Sequence, residues 1–292
     1  MMRSLYSGIT GLRNHQTRMD VIGNNISNVN TAGYKASRVV FKDIYSQTLS
    51  PASGNAATVG GTNPKQVGLG SSIASIDVLH TSSASQYTGV PLDLSIEGSG
   101  FFVVRNNGQE FYTRAGNFGT DNSDYLVNGN GAYVLGYVGA TVPASPAGTP
   151  TQIKIDDFYY DVAVDENGVI SGIDGRATLS DGATPPNITD NENYKKKVTI
   201  GYVAIATFNN ENALEKVGQN AYRATTNSGT ATYNTPGKGV AGKLNPGTLE
   251  MSNVDLASEF TDMIVTQRGF QANSRIITTT DSMLEELVNL KR

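Results

Sequence analysis

Cysteine is missing from all 292 residues, which removes disulfides, thiolate metal sites and thiol nucleophiles together. Charge is scarce as well: Asp, Glu, Lys and Arg make up 16% of the chain, where roughly 25% is usual. A chain this poor in charge covers its surface with Ser, Thr, Asn and Gly, or buries that surface against other copies. The net charge of −4 gives no electrostatic reason for a nucleic acid or an anionic membrane as partner, and neither is expected. No run approaches the roughly 18 apolar residues that span a bilayer, so no direct membrane insertion is expected. The opening MMRSLYSGITGLRNHQTRMD lacks an apolar h-region and a small-residue cleavage site, so no cleaved signal peptide is expected, and the chain reads as cytosolic or as exported by a route that cuts nothing off. Histidine occurs twice, as His15 and His80, with no second histidine near either. His15 falls on a mostly polar helix face and reads as solvated. VGLGSS (67–72) lacks the lysine of a phosphate loop, and DENGVISGID (165–174) reads as a hairpin turn, not a calcium loop. No catalytic, cofactor-binding or metal residue is expected, and no enzyme.

What the chain does have is periodicity, of two kinds. At the N-terminus Leu5, Leu12, Met19 and Ile26 recur every seven residues, with Ile9 and Ile22 in the neighbouring steps. This is an amphipathic helix with a heptad seam, against which only Gly8, Gly11 and Gly23 count. At the C-terminus Leu256, Met263, Phe270, Ile277 and Leu284 repeat the same step, supported by Phe260, with Gln267, Ser274 and Asp281 in the alternate seam position. A helix over 254–288 would reach about 50 Å, with Ser252 or Asn253 as N-cap. Between the ends the period falls to two. Short runs such as GFFVVR, EFYTR, AYVLGYVG and VTIGYVAIATF are punctuated by Asn107-Gly108, Asn128-Gly129 and Asn167-Gly168, which predicts β-hairpins.

The fold expected is therefore mostly β with paired, coiled-coil-like terminal helices. Residues 1–31 and 253–292 would form the helices, and 32–72 an extended connector. Residues 73–144 and 199–252 would form a first β-rich domain, with 145–198 a small inserted outer β-domain. The helices would pair antiparallel. Arg3, Arg13 and Arg18 against Asp20 leave the first helix positive, while acids outnumber bases over 251–292. Ile264, Ile276, Met283 and Leu287 lie off the main seam and widen the apolar face beyond what one partner helix covers. Such a surplus is either covered by the chain's own β-domain or a candidate surface for self-association, and in the second case identical surpluses on every copy allow an open helical assembly.

Three blocks carry a specific resemblance. GNNISNVNTAGYK (23–35), GSGFFVV (98–104) followed by FYTRAGNF (111–118), and the stretch from Gly247 to Leu290 resemble the signatures of the bacterial flagellar rod and hook axial proteins. Within that family the likeness is to hook subunits of a short, Gram-positive-type form, with the distal rod subunit as the alternative. The resemblance implies a structural subunit that polymerises into a tube linking basal-body rod to filament and transmitting torque in motility. It implies as partners further copies of the chain, the rod, hook-cap and hook–filament junction proteins, and the flagellar type III export apparatus. It implies an extracellular location in the flagellum and no cofactor. The Asn-rich stretch is then where the tube-forming helix ends, with Asn24, Asn25, Asn28 and Gly33 as a hinge. Asn side chains compete for backbone hydrogen bonds, and Gly33 can adopt a left-handed conformation.

Overall fold

The structure is a computed structural model that describes residues 2–55, 60–139, 148–175 and 196–290. Two compact units divide the chain: one from residues 1–29, 36–79 and 254–292, the other from 30–35 and 80–253.

The first unit holds both terminal helices, α1 (Met2–Ser27) and α2 (Leu256–Asn289). They pack antiparallel, Gly8 against Ile277 near one end and Arg18 in an ion pair with Asp262 (3.1 Å) towards the other. The N-cap of α2 is Asp255, whose side chain accepts from the Ala257 amide, and not Ser252 or Asn253. Aspartate suits the position, since its carboxylate meets the positive end of the helix dipole. The segment expected as an extended connector is instead paired with itself. Strands β1 (Ser37–Asp43), β2 (Ser46–Ser50), β3 (Lys65–Gly68) and β4 (Ser71–Val78) form two antiparallel ribbons, β1 with β4 and β2 with β3. The alternation of SIASIDV in β4 already carried that signal, but β2 and β3 are exposed throughout most of their length and have no apolar pattern to betray them.

Among its described residues the second unit holds β-strands and one 3-10 turn. Its strands are β5 (Ser85–Tyr87), β6 (Leu94–Glu97), β7 (Phe101–Asn106), β8 (Gln109–Thr113), β9 (Phe118–Thr120), β10 (Leu126–Asn128), β11 (Tyr133–Val138), β12 (Thr151–Gln152), β13 (Tyr159–Val164) and β14 (Val169–Asp174), followed by β15 (Lys197–Val203), β16 (Ile205–Thr207), β17 (Glu215–Gly218), β18 (Ala221–Arg223), β19 (Thr232–Asn234), β20 (Lys243–Pro246) and β21 (Thr248–Glu250). Thirteen of these, β7 to β19, make one sheet whose main path runs β13-β14-β15-β11-β7-β8-β18-β17. The apolar run in GFFVVR is explained by its place: β7 is hydrogen-bonded to β8, β11 and β16, and Phe101 to Val104 are all buried. The core gathers Leu94, Phe102, Leu126, Val134, Ile170 and Leu244. Residues β12 to β15 continue this sheet, so among the described residues 145–198 form no separate outer sheet. Within the expected outer domain, residues 145–147 and 176–195 lie outside the described residues. The Asn-Gly turns are where the sequence puts them, with Asn107 and Gly108 both in the left-handed region (φ 49° and 80°) between β7 and β8.

Candidate assembly interface

The most buried side chains of α2 are polar, although Ile277 also packs against Gly8 of α1. Thr266 and Thr280 are the buried residues of that helix, and Glu259, Asn273 and Gly269 share their side of it. Across from them stand Gly8, Gly11, His15 and Asn25. A Cβ on Gly11 would lie 2.7 Å from Asn273 Nδ2, and one on Gly269 the same 2.7 Å from the His15 ring. The glycines that count against a helix in sequence are thus what lets two backbones approach; without side chains there, Asn273 and His15 find room. Only Gly23 has nothing near it. Gln267 and Asp281, expected in the alternate seam position, are exposed, because the inner row runs one residue earlier through Thr266 and Thr280.

The expected seam residues divide accordingly. Ile22 is buried; Leu5, Leu12, Met19, Ile26, Met263, Ile277 and Leu284 are half-buried. Ile9, Leu256, Phe260 and Phe270 are exposed, Phe260 at 49%. Ile264 (59%), Val265, Ile276, Met283 and Leu287 are exposed with them, so α2 carries a long apolar surface that its own unit leaves uncovered. Burying an exposed Ile or Phe side chain is worth about 1.5–3 kcal/mol, so a row of this length is a substantial association surface.

The Asn-rich stretch is a bonded junction in this unit. The helix runs through Asn24 and Asn25 to Ser27, and Asn28 returns its side-chain amide to the Asn24 carbonyl at 2.9 Å. Asn25, buried, is the working residue. Its Nδ2 donates to the Ser37 carbonyl (2.8 Å) and to Glu259 Oε1 (2.9 Å), while its Oδ1 accepts from the Ser37 amide (3.0 Å). One side chain so joins α1, β1 and α2. Burial raises the Glu259 carboxyl above its usual range, with the Asn25 hydrogen bond working the other way.

Gly33 belongs to the second unit. It has the left-handed conformation expected of it (φ 70°), but six residues past the end of α1, and its amide donates to the Glu250 carbonyl at 2.8 Å. A Cβ there would lie 2.5 Å from the Ala115 amide nitrogen, so both φ and space demand glycine. Two residues on, Lys35 Nζ lies 2.6 Å from Glu250 Oε1, and Arg114 Nη1 lies 3.3 Å from Oε2. All three side chains are 0–1% exposed. The three sequence blocks, far apart in the chain, therefore converge: NTAGYK gives Gly33 and Lys35, YTRAG gives Arg114, and the approach to α2 gives Glu250. Burial lowers the Lys35 amine, and Glu250 opposes that shift.

Neither histidine is solvated. His15 is half-buried beside Gly269 and meets Phe41 edge-on; burial and Arg18 lower its pKa. His80 stands edge-on to Phe101 and Tyr222 and has no hydrogen-bond partner on either ring nitrogen. Burial, with Arg114, Lys35 and Lys216 adding to it, lowers its pKa to about 4. Among the described residues no group of His, Asp and Glu is placed to hold a metal ion, and no helix is long and apolar enough to cross a membrane.

Terminal helices paired with one another, and a mostly-β body occupying the chain between them, define the build of a flagellar axial protein. Family models bear this out at three places: "Flagella basal body rod protein" over residues 5–35, "Flagellar hook protein FlgE/F/G D1 domain" over 95–172, and "Flagellar basal body rod FlgEFG protein C-terminal" over 245–290. Whole-length relatives agree. The chain is 50% identical over 293 residues to the flagellar basal-body rod protein FlgG of Bacillus subtilis (strain 168), with 100% of both chains covered. It is 33% identical over 463 residues to the flagellar hook protein FlgE of Treponema pallidum (strain Nichols), again with 100% of both covered. With FlgG of Borreliella burgdorferi it shares 34% over 297 residues and 100% of both chains. The chain belongs to the flagellar rod and hook protein family, and so is a structural component of the flagellum. Within the family these relatives favour the rod over the hook expected from sequence.

Proposed function

We propose that the chain is a distal rod subunit of the flagellar basal body. The observation that carries this is length together with identity. The rod protein of B. subtilis aligns over 293 positions, close to this chain's 292 residues, at 50% identity; the T. pallidum hook protein needs 463 positions and reaches 33%. Those extra positions have no counterpart in this chain.

In this reading the subunit works by polymerising. The outer apolar row of α2, from Phe260 and Ile264 to Met283 and Leu287, is covered by other copies, and equivalent contacts repeated on each copy extend an open helical tube. The inner polar and glycine row holds α1 and α2 as one pair within each copy. Its neighbours are further copies, and other rod and hook subunits at the two ends of the tube. It leaves the cell through the flagellar type III apparatus and assembles outside the inner membrane. Torque passes along the tube, and no bond is made or broken in the process.

Complementation tests the assignment. Expressed in B. subtilis lacking its FlgG, this chain restores hook–basal bodies and swimming; expressed in a strain lacking the hook protein, it does not. Rescue of the hook strain and not the rod strain would reverse the assignment.

A further inference from the structure

Glu250 collects an unusual number of bonds for one side chain at the end of a short edge strand. Its Oε1 accepts from Lys35 Nζ (2.6 Å) and from the Ser83 amide (3.3 Å), and Oε2 faces Arg114 Nη1 (3.3 Å). Its carbonyl accepts from the Gly33 amide (2.8 Å). Lys35 also donates to the Thr81 carbonyl (2.7 Å), and Arg114 to the Gly98 carbonyl (2.8 Å). The Ser83 hydroxyl donates to the carbonyl of Met251, next in the chain to Glu250.

Two buried cations thus share one buried anion. Lys216, whose Nζ donates to the Lys35 carbonyl (2.9 Å), adds positive charge nearby, and His80 and Glu211 also face the cluster. The main hydrophobic core, around Phe102, Leu126 and Val134, contains none of these charged residues. The chain enters this unit at residue 30 and leaves it after Lys35, then returns at His80 and leaves again after Asn253. The Glu250 cluster ties the first, short passage to the start and the end of the second, long one.

We infer that Glu250 makes the segment 30–35, the stretch around Thr81–Ser83 and strand β21 a single cooperative tie, which opens and closes as one while the thirteen-stranded sheet persists. The cause is charge balance. Freeing Lys35 from the cluster means separating it from the carboxylate it is bonded to, and freeing Glu250 strands two cations away from water. Neither end has a low-energy way of leaving alone. A pull on the chain at either exit reaches this tie before it reaches the sheet, so a subunit that carries load is held where its polypeptide crosses in and out.

Hydrogen exchange on the full-length monomer, resolved by peptide, tests the inference with two variants, Lys35→Met and Glu250→Gln. Lys35→Met keeps the Arg114–Glu250 pair and is the variant expected to fold without difficulty. It should speed exchange in 31–35, 81–85 and 248–251 by one common factor, on the order of 100-fold, since breaking one partner of a buried pair costs that much or more. Exchange in β7 and β11 should not change. Glu250→Gln should deprotect the same three segments. Confinement of the Lys35→Met effect to 31–35 would overturn the inference, and so would loss of protection in β7 and β11 along with the ends. The result is independent of whether the polymer is rod or hook, because the measurement needs no polymer.

Discussion

Gly11 of the first helix lies against Asn273 of the last, so close that a methyl group on Gly11 would stand 2.7 Å from the Asn273 amide nitrogen. Small and polar residues line the pair at this contact, while Phe260, Ile264, Ile276 and Met283 of the last helix stay exposed. A water-soluble helical hairpin normally does the reverse. The arrangement makes sense where the outside of each pair becomes the inside of an assembly.

Substitutions at two helix glycines should therefore have opposite signs. Gly11→Val forces the helices apart and is expected to cost the monomer about 1–3 kcal/mol by overpacking. Gly23→Ala, at an exposed helical position with nothing near its Cβ, should stabilise it by up to about 1 kcal/mol. Thermal unfolding followed by helical circular dichroism measures both; equal signs would show that the glycines do not mark the crossing.

The outer row predicts a separation between folding and assembly. Ile264→Asp, at a side chain 59% exposed, should change monomer stability by no more than about 0.5 kcal/mol yet abolish polymer. Met263→Asp and Phe270→Asp, the substitutions that the heptad pattern suggests, should also prevent assembly, but Met263 is half-buried and its change should weaken the monomer too. Urea unfolding and sedimentation of each variant distinguish the two losses. Polymer formed by Ile264→Asp at the wild-type concentration would remove this face from the assembly.

Acid should weaken the β unit through His80. Its pKa is lowered from 6.5 to about 4 in the folded chain, chiefly by burial. Between those values the unfolded chain binds the proton and the folded chain does not, so stability falls as pH drops from 6.5 to about 4 and this contribution then levels off. The full loss is on the order of 3 kcal/mol. His80→Phe keeps a ring against Phe101 and Tyr222 and sacrifices no hydrogen bond, since neither nitrogen makes one. It should flatten that part of the stability–pH curve; an unchanged slope would mean that His80 is not the group responsible.

Much of this was legible in the sequence, for identifiable reasons. Seven-residue and two-residue periods reflect local geometry, so the terminal helices, β7, β8, β11 and the Asn-Gly turns could be read directly. Gly33 was legible as a left-handed residue. What it packs against was not, because Ala115 is remote in sequence. The bond between Lys35 and Glu250 joins residues 215 apart and leaves no periodic trace. The inner face of the helix pair was misplaced by one residue for a physical reason: the pattern rule assumes that apolar side chains face the partner helix, and here Thr266, Asn273 and Gly269 do. Asn25 looked like a helix terminator, since asparagine favours caps, yet burial beside Ser37 and Glu259 turns the same hydrogen-bonding capacity into a joint.

The measurement that bears most directly on the whole account is electron cryomicroscopy of tubes grown from the purified chain. Straight tubes in which Phe260 and Ile264 of one copy are buried against another copy are the predicted result. Curved tubes would return the chain to the hook, and tubes with that row of α2 still facing solvent would contradict the account at its root.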